Sequence, residues 1–214
     1  MVHHRNLLTC GMAVLMLAGS GITAANTTGG SSSAAAPERL VSIKDSPGYQ
    51  PLVDPDSLAE PLGRRPSAPY VSMPFTGGAR SLEGLGRAVC GALHRETPDS
   101  LLSLCLKPEE FRVILWPEFP QSRPATGLVW TDAWQVLAGR LNGGSTAFTR
   151  DFGGHVYTFM AIERTASTVI YRNFKLHNGI TMVAKDDEGK THRFPFIRSI
   201  AERKGRFKIY SMAD

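Results

Sequence analysis

Apolar positions change their spacing partway along the chain. From Ser81 to Gly154 they recur every three or four residues, which predicts helices, and from His155 onward they alternate with polar positions, which predicts strands. Helices followed by antiparallel strands indicate an α+β fold. We expect three to four helices packed on a curved antiparallel meander of about five strands.

The predicted helices have recognisable starts and ends. The first carries an apolar stripe at helical spacing: Leu82, Leu85, Val89, Ala92 and Leu93. Thr97 with Pro98 can start a second helix, and Lys107 with Pro108 repeats that signal. The apolar run Phe111–Trp116 that follows fits either a helix or a strand.

A loop and one further helix complete the helical part. Three prolines in Trp116–Pro124 exclude a helix interior or a paired strand there. Thr131 is predicted to cap the next helix, which ends at Gly143-Gly144, and Ser145 can start a last short helical turn that closes at Gly153-Gly154.

Five strands are predicted after Gly154, over 155–164, 167–177, 180–185, 191–203 and 206–212. Asn178-Gly179 is a favoured dipeptide for a two-residue hairpin, which would join the second strand to the third. Asp186–Gly189 and Lys204-Gly205 mark further turns. Pro195 lies inside the fourth strand, which implies an edge position or a bulge there.

The amino terminus has the pattern of a secretory signal peptide. His3, His4 and Arg5 precede an uncharged segment, Asn6–Ala25, which ends in the small residues that a signal peptidase requires. We expect residues 1–25 to be removed and the protein to be exported to a periplasm or secreted. The alternative is an uncleaved membrane anchor, since the segment is close to the roughly 20 residues that span a bilayer.

Composition divides the remainder into a tether and a domain. Residues 26–78 begin with a low-complexity run and continue with recurring prolines, so we interpret them as a flexible tether, with Tyr70–Phe75 as the part best suited to contact the domain. The domain is predicted to occupy 79–214. Cys90 and Cys105 remain after cleavage, and they could form a disulfide or stay as buried thiols.

Charge narrows the classes of partner. The net charge is +5, but it is spread along the chain without a long basic run or a basic-aromatic motif, so no nucleic-acid partner is predicted. Membrane contact is expected only if the amino-terminal segment stays uncleaved. A small molecule or an envelope protein is the partner that the sequence leaves open.

The order of helices and strands, with the closing run Gly205-Arg206-Phe207-Lys208-Ile209-Tyr210-Ser211, resembles the nuclear-transport-factor-two-like or ketosteroid-isomerase-like (SnoaL-like) cone superfamily. The loop with Trp116-Pro117-Glu118 and Ser122-Arg123-Pro124 also resembles that of uncharacterised exported bacterial proteins that carry the same helices and meander. The resemblance covers 81–214 and implies a pocket at the open end of the cone. That superfamily includes isomerases, dehydratases and many non-catalytic modules, so the fold does not select a function.

Two places carry candidate ligand-binding residues. His155 and Tyr157 alternate onto one face of the first predicted strand, where they could hydrogen-bond a carbonyl ligand or simply face water. In the proline-stiffened loop, Trp116, Glu118 and Arg123 suit recognition, because a rigid loop loses little entropy on binding. The structural alternative is that Trp116 and Phe119 close the base of the cone while Glu118 forms an ion pair with Arg123.

No catalytic, metal or cofactor site is predicted. His155, His177 and His192 lie near strand ends without the short spacings of a zinc site, and we expect His177 to be solvated. Phosphate-loop and nucleophile-elbow motifs are missing from the sequence. The predicted function is a non-catalytic exported binding module, and the alternative is a small acid/base enzyme, isomerase-like or dehydratase-like, acting in the cone pocket.

Overall fold

Residues 47–48 and 54–213 are described by the computed structural model, so the predicted signal peptide and most of the tether before Asp54 lie outside the described residues. The compact unit Leu52–Asp214 contains all of the elements below. Its helices are α1 (Ala59–Leu62), α2 (Leu82–His94), α3 (Pro98–Leu102), α4 (Pro108–Glu110) and α5 (Trp130–Phe152).

Helix α2 forms where the apolar stripe predicts it. The Ser81 hydroxyl accepts a hydrogen bond from the Gly84 backbone N–H at 2.9 Å, which satisfies one of the free amides at the helix start. Leu85, Val89 and Leu93 are almost fully buried on its inner face. The predicted helix start at Pro98 is confirmed as well, with Thr97 as the N-cap residue.

The run after α4 continues as helix rather than as a strand. A π-helical turn, Phe111–Leu115, follows α4 directly, and three single 3-10 turns come next, over Trp116–Glu118, Pro120–Ser122 and Pro124–Thr126. A proline opens the second and third of these turns and stands second in the first one. Proline is tolerated in the first turn of a helix because the N–H it lacks has no helical partner there.

Helix α5 is longer than the sequence predicts, and the expected end at Gly143-Gly144 is wrong. The helix begins one residue before Thr131, with Val129 as its N-cap residue, and runs to Phe152. A Cβ atom on Gly144 would lie 2.5 Å from both the Met212 Cβ and the Ala213 carbonyl oxygen. This glycine therefore permits close packing of the helix on the last strand instead of ending the helix.

Within residues 54–213, seven strands, all antiparallel, form two sheets. They are β1 (Thr158–Arg164), β2 (Thr168–Ile170), β3 (Lys175–Asn178), β4 (Ile180–Lys185), β5 (Thr191–Phe194), β6 (Ile197–Arg203) and β7 (Arg206–Met212). The strand orders are β1-β4-β5 and β2-β3-β6-β7. The α+β class is confirmed, whereas the single five-stranded meander is replaced by two sheets.

The predicted hairpin at Asn178-Gly179 is wrong. Only Gly179 has a positive φ, and the chain passes there from one sheet to the other. Asn178 pairs with Ser199 of β6, whereas Ile180 pairs with Arg164 of β1. A hairpin of this type needs positive φ at both central residues. Lys204 and Gly205 satisfy that condition, and the predicted turn between β6 and β7 is confirmed there.

Pro195 marks a second passage between the sheets. The predicted fourth strand divides into β5, which pairs with β4, and β6, which pairs with β3 and β7. A proline cannot donate to a strand ladder, so the residue separates two strands in place of a bulge within one. The predicted second strand likewise divides, into β2 and β3, which pair with each other.

Residues 54–78, which the sequence assigned to the flexible tether, pack on the domain. We call these residues the strap. Ala59 and Ala68 are fully buried in it. The buried guanidinium of Arg203 donates hydrogen bonds to the backbone carbonyls of Val71 and Met73, and to that of Asn173. A side chain of the domain thus holds the strap by its backbone carbonyls. Contacts of this kind leave no periodic pattern of apolar residues in the sequence.

Asp56 fixes the start of the strap. Its carboxylate accepts hydrogen bonds from the Ser67 amide at 3.0 Å, the Ser67 hydroxyl at 2.6 Å and Arg65 Nε at 2.8 Å. Burial alone would raise the pKa of Asp56, but these hydrogen bonds from Ser67 and Arg65 outweigh it and lower the pKa to about 2. The carboxylate therefore stays charged throughout the ordinary pH range and holds this turn of the strap together.

A buried ion pair joins the strap, α4 and β7. Lys208 Nζ lies 2.8 Å and 3.0 Å from the two carboxylate oxygens of Glu110, and both side chains are almost completely buried. The Glu110 oxygens also accept from the Thr76 amide at 2.6 Å and the Lys107 amide at 2.9 Å. A buried charge pair with every oxygen hydrogen-bonded is the arrangement that offsets its desolvation.

Cys90 and Cys105 are both buried, and no disulfide joins them in this structure. Burial raises the pKa of Cys90 to about 11 and that of Cys105 to about 12. Both sulfurs are therefore protonated thiols at neutral pH and behave as small core side chains.

No helix within the described residues has the length and apolar character needed to cross a membrane.

Candidate functional site

A cleft of about 580 Å³ opens between the proline-rich turns, α5 and β7. A volume of this size suits a small organic ligand. Its lining is mainly apolar and comprises Phe111, Trp116, Phe119, Gln121, Leu128, Asp132, Ala133, Val136, Leu137, Arg140 and Tyr210. We call this space the aromatic cleft.

Helix α5 supplies one wall of the aromatic cleft. Asp132, Val136 and Arg140 are four residues apart, so they lie along one stripe of the helix, and Ala133 and Leu137 adjoin it. Val136 is 61% exposed, which is unusual for an aliphatic side chain beside a core. This stripe therefore leaves apolar surface open to a ligand.

The opposite wall is aromatic and held by packing. The ring of Phe111 lies with its centroid 6.0 Å from Trp116, 6.4 Å from Phe119 and 5.6 Å from Trp134. Phe119 also meets Tyr210 of β7 at 6.2 Å. Aromatic rings at these separations attract one another, so the wall is preformed.

Polar groups in the aromatic cleft are few. Burial raises the pKa of Tyr210 to about 12, so its phenol remains a hydrogen-bond donor at neutral pH. The positive charge of the nearby Arg140 acts in the opposite direction and lowers the pKa of that phenol. Among residues 54–213, no carboxylate lies within 4.0 Å of the Arg140 guanidinium, so its charge is available to a ligand.

Of the predicted ligand-binding residues, Trp116 lies in the aromatic cleft and Glu118 does not. Glu118 is almost completely buried, and its two oxygens accept hydrogen bonds from the backbone amides of Arg172 and Asn173, each at 2.6 Å. It connects the proline-rich turns to the β2–β3 hairpin. Its role in this arrangement is to fix that hairpin.

Arg123 pairs with acidic residues of the strap and not with Glu118, so the predicted Glu118–Arg123 ion pair is wrong. The Arg123 guanidinium lies 2.5 Å from an Asp54 carboxylate oxygen and 3.8 Å from Glu60. Its side chain lines a shallow groove with Asp56 and Pro124, separate from the aromatic cleft. The predicted Glu118–Arg123 pair is wrong because Asp54 and Glu60, the acids that Arg123 meets, were assigned to a flexible segment.

His155 and Tyr157 lie at a different place. Strand β1 begins only at Thr158, and Met160 is bulged out of its ladder, so the predicted alternation does not hold. His155 is exposed, while Tyr157 is buried with its ring 5.3 Å from Phe194. Tyr157 lines a groove beside α2 that His155 does not line. The structure does not bring these two residues together with Trp116.

His177 is buried, contrary to the expected solvation. Its Nε2 lies 2.9 Å from Glu202 and its Nδ1 lies 2.9 Å from the Thr168 hydroxyl. Burial alone would raise the pKa of Glu202, but hydrogen bonds from Lys175 and His177 outweigh it, and the pKa is lowered. The imidazole thus joins three strands, and it lines neither the aromatic cleft nor the groove beside α2. Among the described residues no group of three possible metal ligands occurs.

Sequence reasoning missed Phe111, Arg140 and Tyr210. Arg140 has a detectable signal, because Asp132, Val136 and Arg140 repeat every four residues on the predicted helix. Tyr210 carries none, since its contact with the proline-rich turns depends on how β7 packs. Comparison of the whole chain with family models, with curated proteins and with solved structures finds no match.

Proposed function

We propose that this protein is a non-catalytic binding module and that the aromatic cleft holds a small amphipathic molecule with an anionic head group. The observation that carries the proposal is Arg140, which has no carboxylate partner among residues 54–213, beside a preformed aromatic wall. The wall would contact the apolar body of the ligand, and the guanidinium would bind its anionic group through charge-assisted hydrogen bonds. Export through the segment 1–25 is part of the same proposal.

Two features support binding over catalysis. The half-buried phenol of Tyr210 keeps its proton at neutral pH, so it can orient a ligand but cannot act as a general base. The exposed carboxylate of Asp132 stands eight residues from Arg140, about 12 Å along the helix, so the two groups would contact opposite ends of a ligand. We also propose that the domain belongs to the cone superfamily, but ligand binding in the aromatic cleft does not depend on that membership.

Two fluorescent probes of nearly the same shape test the proposal. Anilinonaphthalene sulfonate is anionic and N-phenylnaphthylamine is neutral, so their comparison isolates the charge of the ligand. We expect Arg140→Gln to weaken sulfonate binding by about tenfold or more, as for loss of one charged hydrogen bond, and to leave the neutral probe unaffected. The measurement is a fluorescence titration of each probe.

Arg198→Gln is the matched control, because Arg198 is an exposed arginine on β6 outside the aromatic cleft. It should leave the binding of both probes unchanged. Equal weakening of the sulfonate by both variants would show that net charge alone attracts the probe. Binding of neither probe to the wild-type protein would exclude the aromatic cleft as a ligand site.

A further inference from the structure

A second cavity, of about 420 Å³, lies where the strap meets the β2–β3 hairpin. Three arginines line it, Arg64, Arg65 and Arg172, together with Leu62, Glu118 and Tyr171. It shares no lining residue with the aromatic cleft. We call it the arginine pocket.

Neutral backbone acceptors orient two of these guanidiniums. Arg64 Nη1 donates to the Ile170 carbonyl at 2.7 Å, and Arg172 donates to the Ala68 carbonyl at 2.5 Å and the Pro66 carbonyl at 2.9 Å. A carbonyl fixes the direction of an arginine without cancelling its charge. The Arg64 and Arg172 guanidiniums are therefore positioned and keep their full positive charge.

The acids near the arginine pocket are already engaged. Asp56 pairs with Arg65 at 2.8 Å, and the oxygens of Glu118 are taken by two backbone amides at 2.6 Å each. Within residues 54–213, Arg64 Nε and Nη2 and Arg172 Nε have no acceptor. The pocket thus has more donors and more positive charge than its own residues satisfy.

The remaining wall adds a hydroxyl donor and an apolar rim. The Tyr171 ring stacks on Phe174 with centroids 4.3 Å apart, and its hydroxyl has no partner within the described part of the chain. Burial raises the pKa of Tyr171, which keeps that hydroxyl protonated. Leu62 in the lining and Ile170 beside Arg64 are both largely exposed.

We propose that the arginine pocket binds a phosphate group, held by Arg64 and Arg172 with the Tyr171 hydroxyl as an additional donor. The planar guanidinium matches the spacing of phosphate oxygens and can bind two of them at once. The cavity is larger than one phosphate, so the group is carried on an organic body. That body is either a free phosphate ester or the head group of a phospholipid whose chains meet Leu62 and Ile170.

The test measures two probes on the whole protein. Isothermal titration calorimetry follows glycerol 3-phosphate, with glycerol as the neutral control. Co-sedimentation follows phosphatidylglycerol vesicles, with phosphatidylcholine vesicles as the control. Binding of glycerol 3-phosphate in solution identifies a free ester as the source, and binding restricted to anionic vesicles identifies a lipid head group.

The key variant is Arg64→Gln, because Arg64 is exposed and makes a single backbone bond. It should weaken binding of the phosphate probe by about tenfold or more. Arg64→Lys keeps the charge but loses the pair of donors that can bind two phosphate oxygens. Its affinity for the phosphate probe should therefore lie between those of the wild-type protein and Arg64→Gln. Arg80→Gln removes an exposed arginine outside the arginine pocket and should bind like the wild-type protein.

Three outcomes would overturn the proposal. They are wild-type protein that binds neither probe, equal effects of Arg64→Gln and Arg80→Gln, and equal affinities of the Arg64→Lys and wild-type proteins. Thermal unfolding of each variant checks that the fold is intact. Failure here leaves the aromatic cleft untouched, since sulfonate binding to Arg140 is measured separately.

Discussion

Replacing Lys208 with methionine is expected to lower the free energy of unfolding by about 3–5 kcal/mol, because it leaves the Glu110 carboxylate buried without its cation. Lys208 is fully buried, and its Nζ is bonded to both Glu110 oxygens. The same carboxylate holds the strap amide of Thr76 at 2.6 Å. Urea unfolding followed by circular dichroism measures the loss.

Two comparisons make this result specific. Lys185→Met removes an exposed lysine at the end of β4 and should change the free energy of unfolding by less than about 0.5 kcal/mol. The double variant Glu110→Gln with Lys208→Met should be more stable than Lys208→Met alone, since no buried charge remains. A single Lys208→Met variant as stable as Lys185→Met would contradict the buried pair.

The second large effect is expected at Glu118, where alanine should cost about 2–5 kcal/mol by leaving one buried and one partly buried backbone amide without an acceptor. Those amides belong to Arg172 and Asn173, at the turn between β2 and β3. We also expect their hydrogen exchange to accelerate more than that of amides in α2. Urea unfolding and hydrogen exchange measured by NMR together locate the damage.

Glu109→Ala is the control, because Glu109 is an exposed glutamate that directly precedes the buried Glu110 in α4 and pairs with Arg112. It should leave stability and the exchange of both amides nearly unchanged. If Glu118→Ala instead altered probe binding in the aromatic cleft without loss of stability, Glu118 would be a ligand contact and our assignment would be wrong.

The sequence predicted elements well where local chemistry decides them. The apolar stripe and Ser81 define α2, and Lys204-Gly205 defines the last hairpin. Errors arose where tertiary packing reverses a local signal. Gly144 looks like a helix end but allows contact with Met212, and Asn178-Gly179 looks like a hairpin but carries the chain between sheets.

The candidate site shows the same division. Trp116 could be identified, because prolines stiffen its loop and an aromatic residue there is a recognisable binding element. Glu118 could not be distinguished from a ligand contact, since its partners are backbone amides more than 50 residues away. Arg64 and Arg172 meet only because the strap packs on the domain, and its prolines give no periodic pattern that would predict such packing.

The central claim is that the aromatic cleft holds a small amphipathic molecule. Native mass spectrometry of the protein purified from its own organism tests it most directly, compared with Val136→Trp, which fills the aromatic cleft, and with Gln135→Trp, which adds the same side chain outside it. We predict a small-molecule adduct on the wild-type and Gln135→Trp proteins that is lost from Val136→Trp. An adduct retained by Val136→Trp, or a wild-type protein that carries none and binds neither fluorescent probe, would contradict the claim.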